Sequence, residues 1–253
     1  MWNIMFLGQK PIGESCFEQL LAKRNANYCI GAAVSNSDKD SVWWHDNRIF
    51  ESCARENITF VDNKEKNEDK LKKLIIEKKI NYIVSVGHSW ILSNEILQLV
   101  NYQAVNLHLA KLPDYKGNYT YNHAILNQEK EYGVTFHWMA EKVDTGDYIF
   151  TIDFPIHDHD TAYSLYLKSI EKGLELFKKF VEYLENDKEL PRRKMERKGV
   201  FYSRRSLEGL REIKEYNIPE EIARKSRAFY FPPFENAYFF IKGKKYYVIP
   251  ETD

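Results

Sequence analysis

The chain has 253 residues, 43% of them hydrophobic, enough to build a core and too apolar for a disordered segment. Its 37 basic residues balance 37 acidic ones, so it lacks the cationic excess that duplex and tRNA binders usually carry. Cys16, Cys29 and Cys53 form no Cys-x-x-Cys pair, which points to reduced thiols in a cytoplasmic protein rather than a zinc site or disulfide framework, and no run approaches the ~20 apolar residues of a membrane span.

The first half alternates strand-like and helix-like segments. Ile4–Leu7 is a short apolar run without a basic leader, and reads as a buried strand rather than a signal peptide. Ser15–Lys23 has Phe17, Leu20 and Leu21 at helical spacing. Tyr28–Val34 predicts a second strand, Arg48–Glu56 a helix and Ile58–Val61 a short strand. Glu68–Lys78 is a charged helix with Leu71, Leu74 and Ile75 inward, and Tyr82–Val86 and Gln103–Leu107 are further buried strands. Such alternation implies βαβ units and a mostly parallel sheet.

From Gly133 the texture changes. Gly133–Met139 and Tyr148–Phe154 predict strands joined by a charged turn, Glu141–Asp147. Thr161–Leu184 predicts a long amphipathic helix with Asp160 as its cap. Residues 186–200, with Arg192-Arg193-Lys194 and Arg197-Lys198, read as a linker. Pro219–Arg227 predicts a short helix, and Ala237–Ile241 with Lys244–Ile249 a hairpin turning at Lys242-Gly243. A lone hairpin is barely stable in water, so this one is expected to dock on the main domain or on a second subunit.

Several segments imitate motifs. Gly8–Ser15 follows a strand and opens a helix as a P-loop does, but Glu14 stands where the phosphate-binding Lys belongs. No Gly-x-Gly-x-x-Gly is present, so nucleoside triphosphate hydrolysis and dinucleotide binding are both disfavoured here. The helix N-terminus still suits a weaker anion such as a diphosphate, with Lys10 helping. His157-Asp158-His159-Asp160 lacks a third ligand at metal-site spacing and reads as a polar loop. Trp43-Trp44-His45 suits either a flap over a ligand or a packing cluster.

The informative segment runs from Asn106 to Gly117. A buried strand carries Asn106 and His108, and its period of two points both side chains to one face. A sharp loop, Leu112-Pro113-Asp114-Tyr115-Lys116-Gly117, follows. Ligands of open α/β sheets bind outside the carboxyl ends of strands, which is where this pair sits. Alone, a strand-end His can simply hydrogen-bond a loop. A second segment, Asp144-Thr145-Gly146, presents a carboxylate on a tight turn, although Asp-Thr-Gly is also a common surface turn.

Together these segments resemble the folate-dependent formyltransferase family. Its marks are Asn-x-His at a strand end, a Leu-Pro-x-Tyr-x-Gly loop and a later Asp-x-Gly turn, and here they occur in that order. Leu109-Ala110 departs from the pattern, where relatives often carry Pro or a small residue beside the loop. The resemblance implies an α/β, Rossmann-like formyltransferase domain with a mostly parallel sheet over residues 1–185. A small C-terminal appendage of linker, helix and β-hairpin would occupy 186–253 and serve dimerisation. It implies Asn106, His108 and Asp144 as catalytic residues, N10-formyltetrahydrofolate as co-substrate, and no metal. Backbone groups of Ile91, Leu92, Met139, Glu141 and Val143 would hold the pterin.

The tail from Arg227 to Phe239 resembles that of sugar N-formyltransferases. That resemblance implies a dTDP-linked amino sugar as acceptor, dTDP-4-amino-4,6-dideoxyglucose first and its 3-amino isomer next. It further implies a homodimer formed through the hairpin and a product used in O-antigen or lipopolysaccharide synthesis. Tyr119 and Tyr121 would line the sugar pocket, and Tyr230 or Phe231 would stack on the base, unless these rings serve hairpin core and dimer contact. Other readings are a methionyl-tRNA formyltransferase, a formyltetrahydrofolate hydrolase, or a binding module without catalysis.

Overall fold

The computed structural model describes residues 1–37, 44, 48–214 and 217–251. In chain order the elements are β1 Trp2–Gly8, α1 Lys10–Ala22, β2 Tyr28–Ser35, α2 Arg48–Glu56, β3 Thr59–Asp62, α3 Glu68–Glu77, β4 Tyr82–Val86, α4 Asn94–Leu99 and β5 Ala104–His108. They continue with β6 Lys116–Gly117, α5 Thr120–Leu126, β7 Glu131–Trp138, β8 Tyr148–Pro155, α6 Ala162–Glu185, β9 Phe201–Tyr202, α7 Pro219–Phe229, β10 Ala237–Ile241 and β11 Lys244–Val248.

Seven strands form one sheet in the order β3-β2-β1-β4-β5-β7-β8. The pairs from β3 to β5 are parallel, and β7 and β8 are added antiparallel. Strand order reverses between β1 and β4, the topological switch where α/β sheets open a crevice for ligands. Alternation along β1 feeds two cores. Ile4 and Phe6 join Ile12, Phe17, Phe177 and Phe180 from α1 and α6 on one face. Met5 and Leu7 join Leu71, Ile75, Ile96 and Leu97 from α3 and α4 on the other.

Helix α1 begins at Lys10, five residues before its expected start. Pro11 lies in its first turn, where a missing N–H costs nothing. Glu14 is buried, and its Oε2 accepts the Ile49 N–H at 2.7 Å, so this carboxylate holds the start of α2. Helix α6 is capped by Thr161, not Asp160: Thr161 Oγ1 accepts the Ser164 N–H, and Ser164 Oγ accepts the Thr161 N–H. Asp160 instead accepts hydrogen bonds from the His157 N–H and Lys168 Nζ, both at 2.7 Å. The rings of His157 and His159 stack with centroids 5.5 Å apart. Trp43 and His45 lie outside the described residues. Among the described residues no helix is long and apolar enough to cross a membrane.

The basic run read as a linker lies against the domain. Arg193 exchanges backbone hydrogen bonds with Tyr148, and β9 pairs with β6 in parallel. Strands β10 and β11 form the expected hairpin, with Phe240, Tyr247 and Ile249 exposed.

Candidate active site

Val105 and Leu107 belong to the core that α6 covers, so Asn106 and His108 point to the opposite face of the sheet. Val134, Phe136 and Trp138 of β7 belong to the same core, so Thr135 and His137 share the face of Asn106 and His108. The register sets His137 opposite Asn106 and Thr135 opposite His108.

The turn that carries Asp144 starts at the far end of this pair, because Trp138 lies opposite Val105. It folds back over the shared face. Trp138 N–H donates to the Asp147 carbonyl at 2.8 Å and closes its neck. Gly146 packs so tightly that a Cβ there would lie 1.8 Å from the Trp138 carbonyl oxygen. The turn thereby brings Asp144 to three groups. Its Oδ2 accepts the Gly117 N–H at 2.9 Å and lies 3.8 Å from His108 Nδ1, and its Oδ1 lies 3.5 Å from His137 Nε2. Burial alone would raise the Asp144 carboxyl. The facing His108 imidazole and the Gly117 N–H outweigh burial and hold it well below the usual carboxylate range.

Hydrogen-bond chemistry fixes the proton positions. His108 Nε2 lies 2.7 Å from the Tyr115 carbonyl, which only accepts, so Nε2 carries the proton and Nδ1 faces Asp144. His137 Nδ1 lies 2.8 Å from the Trp138 carbonyl, so it donates, and in that tautomer Nε2 accepts from Asn106 Nδ2 at 3.1 Å. That bond uses one hydrogen of the Asn106 amide and leaves the second to be offered to a ligand. Thr135 Oγ1 donates to the Ala110 carbonyl and accepts the Leu112 N–H, anchoring the loop after His108.

His137 was missed in the sequence because it sits between Phe136 and Trp138 and reads as core. The available signal was alternation: Thr135 and His137 place polar groups on one face of an otherwise apolar buried strand.

Beside this centre, Ile91 is exposed, Leu92 is buried, and Trp90 and Met139 pack on the second core. Met139 N–H already donates to the Ala104 carbonyl, so the backbone group Met139 has left for a ligand is its carbonyl, an acceptor. Glu141 is exposed and Val143 half-buried. His88 Nδ1 accepts the Trp90 N–H at 3.1 Å, and burial lowers the imidazole to about 4, so the ring is neutral.

Lys10 lies at the start of α1, at the switch point. Burial and then the Arg204 charge lower its pKa, so Arg204 acts electrostatically on this position. Tyr119 is exposed at the N-cap of α5. Tyr121, expected in the sugar pocket, packs instead on Tyr132 and Tyr166 with centroids 5.5 and 5.6 Å away, and its hydroxyl meets Ser169. Phe231 packs on Tyr163 and Tyr166, each at 5.3 Å, and the Tyr230 carbonyl accepts the Tyr163 N–H, so both lie against the start of α6.

Residues 3–181 match the formyl transferase family, and the chain belongs to it. Over 211 residues it is 35% identical to methionyl-tRNA formyltransferase of Clostridium tetani, covering 80% of this chain and 66% of that protein. It is 30% identical over 186 residues to the Clostridium acetobutylicum enzyme of the same name, covering 72% and 59%. The chain thus spans 66% and 59% of the length of these two relatives. Among solved structures it is similar to an N-formyltransferase from Helicobacter canadensis in complex with folinic acid and dTDP-3-aminofucose. The TM-score is 0.77 at 25% identity, over 97% of this chain and 86% of that one. A 4-N formyltransferase from Francisella tularensis shares the fold with a TM-score of 0.79 at 22% identity, over 100% and 98%.

Proposed function

We propose that this formyltransferase moves the formyl group of N10-formyltetrahydrofolate onto the amine of a dTDP-linked amino-dideoxy sugar, with Asn106, His108 and Asp144 at the reacting centre. The observation that carries the reaction is that Asn106 and His108 share one face of β5 and the Asp144 turn folds back over that face. The amine nitrogen attacks the formyl carbon, and the carbonyl electron pair moves onto oxygen. The remaining Asn106 N–H is the donor for that growing charge, an interaction typically worth about 3–4 kcal/mol at a transition state. The amine's proton passes to His108 Nδ1, the ring nitrogen not bonded to the Tyr115 carbonyl, where the ionised Asp144 stabilises the imidazolium. The oxyanion then re-forms the carbonyl, the bond from the formyl carbon to the folate nitrogen breaks, and that nitrogen takes the proton from His108. Donor folate would lie beside this centre, with backbone groups of Ile91, Leu92, Met139, Glu141 and Val143 meeting the pterin.

A sugar acceptor is supported by the likeness to the H. canadensis enzyme over 97% of this chain, the C-terminal appendage included. A balanced 37 to 37 charge count agrees with a small acceptor rather than RNA. Lys10, Arg204 and the N-terminus of α1 would receive the diphosphate, and the exposed aromatics of the hairpin would pair two copies. The identity to methionyl-tRNA formyltransferases favours a second reading, with aminoacyl-tRNA as acceptor. One assay separates the two. The protein is given N10-formyltetrahydrofolate together with dTDP-3-amino and dTDP-4-amino sugars and methionyl-tRNA, and the products are weighed by mass spectrometry. Gain of one CO by a sugar supports the proposal and names the ring position, whereas gain by methionyl-tRNA alone overturns it.

A further inference from the structure

We propose that residues 190–206 form a clamp that positions the Asp144 turn and the loop after His108, with Tyr202 as its principal positioning residue. This rests on the reading of His108 and Asp144 as the reacting pair. The two loops come from different strands, and this segment crosses both.

On the Asp144 turn, the Pro191 carbonyl accepts Trp138 Nε1–H at 3.1 Å, and the Arg192 guanidinium lies 4.2 Å from the centroid of the Trp138 ring and 3.6 Å from Asp147 Oδ2. On the other loop, Arg197 pairs with Asp114 at 2.9 Å, and Lys116 Nζ donates to the Lys198 carbonyl. Lys116 N–H donates to the Val200 carbonyl at 3.0 Å, and Asn118 N–H to the Tyr202 carbonyl at 2.9 Å. Gly199, with φ of +61°, lies where a Cβ would come within 1.8 Å of the Pro113 carbonyl oxygen.

Tyr202 then closes the clamp with its ring. It stacks on His123 at 3.9 Å and on Tyr115 at 5.6 Å between centroids. Tyr115 supplies the carbonyl that holds His108, and Gly117, flanked by the two clamped N–H groups, supplies the N–H that holds Asp144. The clamp therefore governs both sides of the pair without touching either. A displacement near 1 Å at such a centre costs about a hundredfold in rate.

The test uses the full chain carrying Tyr202→Ala, with Tyr202→Phe as the conservative variant because it keeps the ring and loses only a hydroxyl bond to Asn127. Two readouts are taken on folded protein: steady-state formyl transfer, and the carboxyl carbon NMR titration of Asp144. For Tyr202→Ala, kcat falls about a hundredfold with little change in the acceptor KM, and the Asp144 midpoint rises toward the ordinary value of about 3.9 as the Gly117 N–H moves away. Tyr202→Phe restores both. An unmoved Asp144 midpoint and unchanged kcat in Tyr202→Ala would overturn the clamp. So would a loss shared equally by Tyr202→Phe. The reading beneath it fails separately, if His108→Asn leaves transfer intact; the Asp144 titration reports on the clamp in either case.

Discussion

Nδ2 of Asn106 lies 3.1 Å from Nε2 of His137, directly across the β5–β7 pair, and Nδ1 of that same imidazole lies 2.8 Å from the Trp138 carbonyl. The carbonyl sets the His137 tautomer, and the tautomer sets which way round the Asn106 amide sits. His137 thus orients the group proposed to donate a hydrogen bond to the negative charge growing on the formyl oxygen.

Replacing His137 by Phe keeps the bulk and removes the acceptor. The Asn106 amide then loses its fixed orientation, and kcat should fall by about 10- to 100-fold while the folate KM stays close to wild type, because one preorganised donor is weakened rather than deleted. Asn106→Ala should cost more, about 10²- to 10³-fold. Steady-state kinetics of both variants check the order; equal kcat for His137→Phe and wild type would remove His137 from the account.

Gly146 closes the neck of the Asp144 turn. In Gly146→Ala, a Cβ 1.8 Å from the Trp138 carbonyl oxygen forces backbone to move, since no flexible side chain stands there to yield. The carboxylate withdraws from His108 and His137. Activity should drop about a hundredfold. Far-ultraviolet circular dichroism should stay native, because the turn lies outside the sheet ladder. Retained activity in a folded Gly146→Ala protein would show that the turn does not set the position of Asp144.

Stability should depend on pH through a buried imidazole. His123 is buried, contacts Ser206 Oγ at 2.8 Å, and burial lowers it to about 4, against about 6.5 in an unfolded chain. Between those values the unfolded chain binds the extra proton. The contribution is therefore complete above about pH 6.5 and is lost as pH falls toward 4. Asp144, held below the ordinary carboxylate value, stabilises throughout most of that window and adds little to its pH dependence, since its contribution is lost only as pH falls below about 4. Urea melts at about pH 7 and about pH 4.5 should show weaker folding at the lower value, and His123→Gln should narrow the difference. An equal difference in wild type and His123→Gln would contradict this.

Much of the frame was legible because buried strands in an α/β sheet are nearly continuous apolar runs. The run at Tyr82–Val86 is the same in sequence and structure. The short helices Asn94–Leu99 and Thr120–Leu126 span too few turns to show a period, and the two-residue strands at Lys116 and Phe201 show none at all. Ends shifted where local chemistry offered two solutions. Asp160 and Thr161 both suit a cap, and the reciprocal bond with Ser164 decided for Thr161. Within the site, Asn106 and His108 were readable by their spacing on one strand. His137 was not, because its role needs the register between two strands 31 residues apart at that pair. The clamp was hidden by composition: Arg192 and Arg197 look like a solvated linker until Asp147 and Asp114 are seen opposite them.

The central claim is that the imidazole of His108, paired with Asp144, carries the proton from amine to folate nitrogen. A single-turnover experiment tests it most directly: enzyme in excess over radiolabelled N10-formyltetrahydrofolate, with the amino-sugar acceptor saturating, comparing wild type with His108→Asn. The account predicts rapid appearance of label on the acceptor with wild type, and loss of that phase with His108→Asn while acceptor binding persists. Transfer by His108→Asn at the wild-type rate would contradict it, as would label released by wild type as free formate while the sugar gains none.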